Sequence, residues 1–389
     1  MVCLFLFATQ AVAQGPVQRV RYEGWPGVFN PQRVLNLHLT LTPGDWSTIQ
    51  NDESLSIELP GWFWADGEAP ILVGVRRKSG DALQSGGGFR KVSLKIDINE
   101  YTSGLKWRDL TKVSLENGDD QDVLAEGLAW HMHRLASVDE GYGYEAGMAA
   151  WVTMEINGTY TGVYVNAEQR NKQFLRNRDL YTPGETWLYK ISDPLHHSLE
   201  VGAADSPTVT TLCYYPFVRE NQATCSTPDV AVLETQLDGL IDMDGMFTMT
   251  AIDAILGNPD ALFSHGKNCY FVDFLGRKKR MYFPWDQDSV VTGTDFPIYY
   301  DPNEAYPATL FPVPAYLARY TEILRGLIEG PLEEQVLIVF LDQMEPLLSD
   351  LLAADPNNQI GDASEIAERF DALRAWVPTR YANIQQQLP

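Results

Sequence analysis

The stretch GNPDALFSHGKNCYFVDFLGRKKRMYFPWDQD, residues 257–288, carries most of the fold information in this chain. Apolar positions at helical spacing over 243–257 stop at Gly257-Asn258, a pair that ends helices. Asp260 then falls on a loop, followed by His265 and Asn268. NCYFVDF reads as a strand, Leu275-Gly276-Arg277 as a tight turn, and KKRMYFPWD as the returning strand. The two ends of a hairpin lie side by side, so the turn brings Asp260 and Asn268 to Asp286 and Asp288. Three carboxylates and an amide at one hairpin edge offer hard oxygen ligands, the kind that hold Mg²⁺ together with phosphate oxygens. Acids at strand ends also serve as solvated turn caps, so the spacing alone leaves both roles open.

The same pattern extends outward. AAWVTMEINGTYTGVYVNAEQ (149–169) is a β-hairpin turning at Asn157-Gly158. Residues 119–137 switch to helical spacing, with His131, His133 and Arg134 late, where they suit the helix dipole. VLNLHLTLT (34–42), ILVGVRRKS (71–79) and FRKVSLKIDIN (89–99) read as strands. In the last of these, Val92, Leu94, Ile96 and Ile98 share one face, and Lys91, Ser93, Lys95 and Asp97 share the other. Further helices read over 315–329, 331–353 and 363–386. Strands first and helices last predict a two-lobed α+β protein rather than a doubly wound parallel sheet. A β-rich lobe with one helix spans 20–170. A C-terminal lobe spans 171–389, with a loop-rich insertion at about 175–235, the hairpin and the terminal helices.

Composition narrows the function. The chain has 389 residues, 45% hydrophobic and 21% charged, which excludes a fibrous or disordered protein. A net charge of −23 repels phosphate backbones, so no nucleic-acid partner is expected. No internal apolar run reaches the ~18–20 residues of a membrane span. Residues 1–13 read as a signal peptide, with apolar Val2–Ala8 and a small-residue site at Ala11-Val12-Ala13. The expected location is therefore outside the cytoplasm: periplasmic, extracellular or cell-surface. Signal removal leaves Cys213, Cys225 and Cys269, and the first two are spaced to close a small loop as a disulfide. His131 and His133 lie on different helix faces and do not make the paired ligands of a zinc protease. No G-x-S-x-G elbow is present. A glycosidase carboxylate pair is left open by spacing alone.

Nine of the 29 bases fall within 76–112: Arg76, Arg77, Lys78, Arg90, Lys91, Lys95, Lys106, Arg108 and Lys112. An acidic protein needs such a local patch to hold polyphosphate. The 257–288 layout follows the logic of phosphoryl transfer by kinases. There a loop Asp accepts the hydroxyl proton, a nearby Asn holds metal, and a second Asp across the hairpin holds metal too. The spacing differs, with eight residues from Asp260 to Asn268 rather than five.

Five ordered segments resemble the CotH-like spore-coat protein kinases, atypical members of the protein-kinase fold. They are RRKSG with KVSLKIDIN, LTKVSLENGDDQDVLAEGLAWHMHRLA, TMEINGTYTGVYVNAEQ, AIDAILGNPDALFSHGKNCYFVDF and YFPWDQDSV, within about 33–386. The loop at Phe263–Lys267 is longer than in compact members. The resemblance implies a two-lobed kinase-like fold, ATP and Mg²⁺ or Mn²⁺ as cofactors, and phosphate transfer to hydroxyls of a protein substrate. It implies Asp260 as the catalytic residue and Asn268, Asp286 and Asp288 as metal ligands. Lys95 is the first choice for the phosphate lysine and Lys91 the second, with Arg77 of the basic cluster beside them. Gly86–Gly88 is a candidate phosphate-wrapping loop. Glu168 is a candidate for adenine or ribose, and Glu126 a candidate partner of Lys95. The alternative function is a binding or surface-interaction protein on a catalytically degenerate kinase fold.

Overall fold

The computed structural model describes residues 25–78, 80–84, 90–119, 122–137, 144–218, 230–275 and 279–389. The first lobe runs α1 (Trp25–Val28), β1 (Leu35–Thr40), α2 (Pro43–Gln50), β2 (Leu59–Ala65), β3 (Ile71–Arg77), β4 (Leu83–Gln84), β5 (Arg90–Lys91), β6 (Leu94–Asp97), β7 (Lys112–Glu116), α3 (Val123–Leu135), β8 (Ala149–Ile156) and β9 (Thr159–Ala167). Seven of these strands close a barrel in the order β1-β2-β3-β6-β7-β9-β8, sealed by parallel pairing of β1 with β8. Period-two alternation builds it: Leu37, Phe63, Val75, Ile96, Val113 and Met154 are buried together in one core. The opposite positions of β3, β6 and β7 form a charged face. Across it Arg76 lies opposite Lys95, Lys95 opposite Ser114, and Asp97 opposite Lys112.

The β8–β9 hairpin turns where expected, with φ of 53° at Asn157 and 76° at Gly158, the left-handed pair that a two-residue turn between twisted strands requires. The run 89–99 differs from expectation. It is not one strand: β5 pairs with β4 in a separate two-stranded sheet, and β6 alone enters the barrel. The candidate loop Gly86–Gly88 lies outside the described residues.

The second lobe runs α4 (Lys172–Arg176), β10 (Thr186–Ile191), β11 (His197–Val201), α5 (Pro207–Thr211), α6 (Val230–Leu240), α7 (Met243–Leu256), α8 (Leu262–His265), β12 (Cys269–Phe274), β13 (Met281–Pro284), α9 (Ala305–Leu310), α10 (Pro314–Ile328), α11 (Glu334–Ala353) and α12 (Ala363–Gln387). The expected hairpin is β12–β13. The stretch expected to be loop-rich contributes two strands, and β10 pairs with β12 over six positions. The hairpin is thereby widened into a four-stranded sheet, β11-β10-β12-β13. Cys213 is disulfide-bonded, and Cys225 lies outside the described residues. Helix α7 is buried on nearly every side, with Phe247 edge-on to Tyr316 and Tyr320 of α10. No helix among the described residues is long and apolar enough to cross a membrane.

Candidate active site

Helix α7 stops because Gly257 takes the left-handed conformation, φ 67°. The next residue, Asn258, is fully buried and anchors the loop. Its Oδ1 accepts from the Asp260 amide at 2.9 Å. Its Nδ2 lies 3.3 Å from Asp253 Oδ1 and 3.4 Å from Gln287 Oε1, linking α7 to the segment after β13. Asp260 is thus set at the lobe's upper edge, its side chain 25% exposed. Asn268 Nδ2 donates to Asp260 Oδ2 at 3.0 Å, and Lys267 Nζ lies 2.7 Å from Oδ1. His265 Nδ1 is 3.7 Å from the same Oδ1. The Trp285 amide donates to the Asn268 carbonyl at 3.1 Å, so Asp286 follows one residue after a backbone bond to Asn268. Asn268 and Asp286 have φ of 55° and 57°. Two non-glycine residues in the left-handed region flank the hairpin, a strain that short polar side chains tolerate and that concentrates at functional sites.

Facing this edge is the charged side of the barrel. Lys78, one residue beyond β3, is buried; its Nζ pairs with Glu116 and lies 4.5 Å from the centre of the Trp285 ring. Burial works against its charge, but Glu116, Asp286 and Glu126 hold its pKa above the ordinary lysine range. Glu126, on the first turns of α3, is buried too. Its Oε1 accepts from the Trp130 indole at 3.2 Å, and its Oε2 has no hydrogen-bond partner among the described residues. Burial, with Glu116 and Asp288 adding repulsion, pushes its pKa well up. Lys78 is therefore where carboxylates from both lobes converge. The sequence signal for it was present: in ILVGVRRK the buried Val75 puts Arg76 and Lys78 on the outward face. The helix glutamate expected to pair with Lys95 stands beside Lys78 instead.

Lys95 occupies the same face, opposite Arg76 on β3 and Ser114 on β7. It lines a cleft of about 650 Å³ between β6–β7 and the segment 169–176 that joins the lobes. No hydrogen bond or ion pair neutralises it among the described residues. Burial and the cations Arg76, Lys78 and Lys112 push its pKa down to about 7. Glu116 is the one acid that acts against this shift, and the three like charges outweigh it. Lys112, Arg170, Lys172 and Arg176 line the same cleft.

Three other expected residues are placed elsewhere. Lys91 does not face the cleft: its Nζ is 2.8 Å from Asp355 Oδ2 and donates to the Val163 carbonyl at 2.6 Å, fully buried. Lys91 lies on the polar side of the alternation, but at that end, where β5 leaves the barrel, the polar side is covered by the α11–α12 turn. Arg77 is also buried. Its guanidinium donates to the carbonyls of Gly80 at 3.1 Å and Gln50 at 3.5 Å, tying β3 to α2. Glu168 is held by both guanidinium nitrogens of Arg178, at 2.8 and 2.6 Å, and by the Met148 amide at 3.2 Å. Its carboxylate braces the join between the lobes.

The carboxylates of Asp286 and Asp288 and the amide oxygen of Asn268 are hard oxygen donors, the type that Mg²⁺ or Mn²⁺ takes. Among the described residues, the one trio of acids close enough to clasp an ion unaided is Glu58, Asp97 and Glu100, of which Asp97 and Glu100 line the Lys95 cleft. Asn268, Asp286 and Asp288 therefore suit an ion shared with phosphate oxygens, not an all-protein cage.

Comparison with curated proteins returns no match. Among solved structures, the proinflammatory kinase CtkA of Helicobacter pylori is similar at 12% identity and a TM-score of 0.31, covering 76% of this chain and 92% of that one. A chain of the Shewanella oneidensis MR-1 toxin–antitoxin complex of HipA, HipB and operator DNA is similar at 14% identity and a TM-score of 0.35, covering 93% and 75%. The family model described as CotH kinase protein matches residues 84–384. With its β-rich lobe, its helical lobe and the acid-bearing hairpin between them, the chain belongs to the CotH kinase protein family.

Proposed function

We propose that this chain is an exported kinase that uses ATP and a divalent metal to transfer phosphate to protein hydroxyls. The observation that carries the reading is the Asn268 contact to Asp260 and its backbone bond to Trp285, which set Asp260 and Asp286 at the same end of the hairpin, with Asp286 in electrostatic reach of Lys78. In this reading Gln169 and Asn171, on the segment joining the lobes, line the nucleotide cleft. Lys95 and Lys78 counter the phosphate charge along the barrel face. Asp286 and Asp288, with Asn268, would hold the ion, which would offset charge on the transferred phosphate. Asn268 and Lys267 orient Asp260 and leave carboxylate lone pairs free to accept the hydroxyl proton. Little more is asked of the protein, because phosphoryl transfer depends mostly on positioning and charge.

Incubation with γ-labelled ATP, Mg²⁺ or Mn²⁺ and a generic acceptor protein tests the reading. Label should enter protein with the wild type and be absent with Asp286→Ala. Nucleotide binding without transfer under any metal would instead support the degenerate, binding-only reading.

A further inference from the structure

Helix α3 carries Glu126, which is buried within electrostatic reach of Glu116, Asp288 and Lys78. In kinases the corresponding helix is a moving part whose position controls activity. Here it is tied down by residues from the far end of the chain. The Asp122 side chain caps α3 through one oxygen, which accepts from the amides of Leu124 and Ala125, each at 2.8 Å. The other oxygen accepts from Arg369 Nε of α12 at 2.8 Å. One carboxylate thus joins the first turn of α3 to α12, and Glu126 closes that turn, its amide donating to the Asp122 carbonyl at 3.2 Å. Further along α3, the His131 ring stacks on Phe340 of α11, centroids 3.5 Å apart and planes within 7°. Gln359, in the α11–α12 turn, donates to the Asp119 carbonyl at 3.3 Å on the approach to α3. In the same turn Asp355 takes the Lys91 ammonium at 2.8 Å and the Val163 amide at 2.9 Å.

From these contacts we infer that the α11–α12 pair is a built-in brace for α3, and that Arg369 is a positioning residue for the phosphate site. Acting through the Asp122 cap, it holds the first turns of α3 so that Glu126 stays beside Lys78. The inference rests on the proposed function only in what the site binds; the brace itself is a statement about α3.

Two measurements on the full chain test it. The first is amide hydrogen exchange over residues 122–128. The second is the Kd for ADP with Mg²⁺. Arg369 is partly exposed, so Arg369→Ala should fold. It should speed exchange at 122–128 and weaken Mg²⁺–ADP binding about fivefold, the scale of one half-buried ion pair at a helix cap. Arg369→Lys should recover part of both. Arg374→Ala is the control. Arg374 also sits on α12 and pairs with Asp342, Asp371 and Glu345, all within the α11–α12 pair. Its loss should change neither readout. Unchanged exchange at 122–128 in Arg369→Ala overturns the brace. Faster exchange with unchanged Mg²⁺–ADP affinity overturns the positioning role. If the wild type binds no nucleotide, the proposed function fails, and exchange alone then decides whether α12 braces α3.

Discussion

At the scale of single residues, the two lysines of one barrel face differ in what surrounds them. Lys78 already sits among carboxylates, whereas Lys95 has three cationic neighbours that outweigh the one acid acting on it, Glu116. An arriving polyphosphate therefore changes Lys95 more. In the empty protein Lys95 titrates near 7, and a bound anion returns its pKa upward. Binding then takes up a proton above that pH. Nucleotide affinity should be flat below about pH 7 and fall as pH rises, approaching about tenfold per unit. Stability of the empty protein runs the other way. It should rise between about 7 and 10.5, because the unfolded chain keeps the proton that folded Lys95 releases. Titration calorimetry across pH checks the first effect, and Lys95→Arg should flatten it. The acids should separate as well. Asp260→Asn keeps the shape but loses the proton acceptor, so transfer should fall by about a hundredfold or more with Mg²⁺–nucleotide binding intact. Asp286→Asn should lose the metal dependence of binding along with transfer. Equal effects of the two substitutions on binding would remove the division of roles. These acids were legible because a hairpin is a local motif whose ends meet by construction. Lys91 was not: its partner Asp355 is 264 residues away, and alternation says which way a side chain faces, not what covers it.

At the scale of elements, the strongest periodic runs were legible nearly to the residue. The helix expected at 243–257 is Met243–Leu256, and the hairpin expected at 149–169 is Ala149–Ile156 with Thr159–Ala167. The segment TWLYKI lies in the stretch expected to be loop-rich. It is the inner strand β10, defined by pairing with β11 on one side and β12 on the other. A strand specified by distant neighbours carries little signal of its own. The split of 89–99 has the same origin: β5 leaves the barrel where Lys91 turns to Asp355. That ion pair is an element-level fastener with side chains 2% and 1% exposed. Lys91→Met strands the Asp355 charge in the interior and should cost roughly 3–5 kcal/mol of stability. Thermal denaturation should show the loss, while the folded fraction keeps near wild-type nucleotide affinity. A large loss of affinity with unchanged stability would return Lys91 to the nucleotide site. Gly162→Ala should strike the same fastener. At φ 119° only glycine is comfortable, and an added Cβ would sit 2.1 Å from Asp355 Oδ2.

At the scale of the whole molecule, a net charge of −23 is combined with a cleft whose five bases, Lys95, Lys112, Arg170, Lys172 and Arg176, outnumber its three acids, Asp97, Glu100 and Glu200. The sign contrast draws an anionic nucleotide to that cleft while the rest of the surface repels nucleic acid. Export, which we propose from Val2–Ala8 and Ala11-Val12-Ala13, is consistent with the cysteine chemistry. Disulfides persist where glutathione and thioredoxin do not reduce them, and Cys213 is disulfide-bonded. The expected partner is Cys225. Cys269, by contrast, is free and buried, and burial with the nearby Asp253 charge pushes its thiol pKa well up. A buried, protonated thiol is unreactive. Three consequences follow for protein recovered from a host's exported fraction. Its N-terminus should be Gln14. Peptide mapping without reductant should find the Cys213 peptide linked to the Cys225 peptide. Cys269 should take up iodoacetamide only after denaturation. Closing a loop of this size constrains the unfolded chain by about 3 kcal/mol, so reductant should lower the melting temperature while Cys269→Ser leaves the reductant effect in place. Prompt alkylation of Cys213 in the native exported protein would break the pairing. An intact N-terminus on protein retained in the cytoplasm would remove export, and with it the need to explain how ATP reaches the cleft.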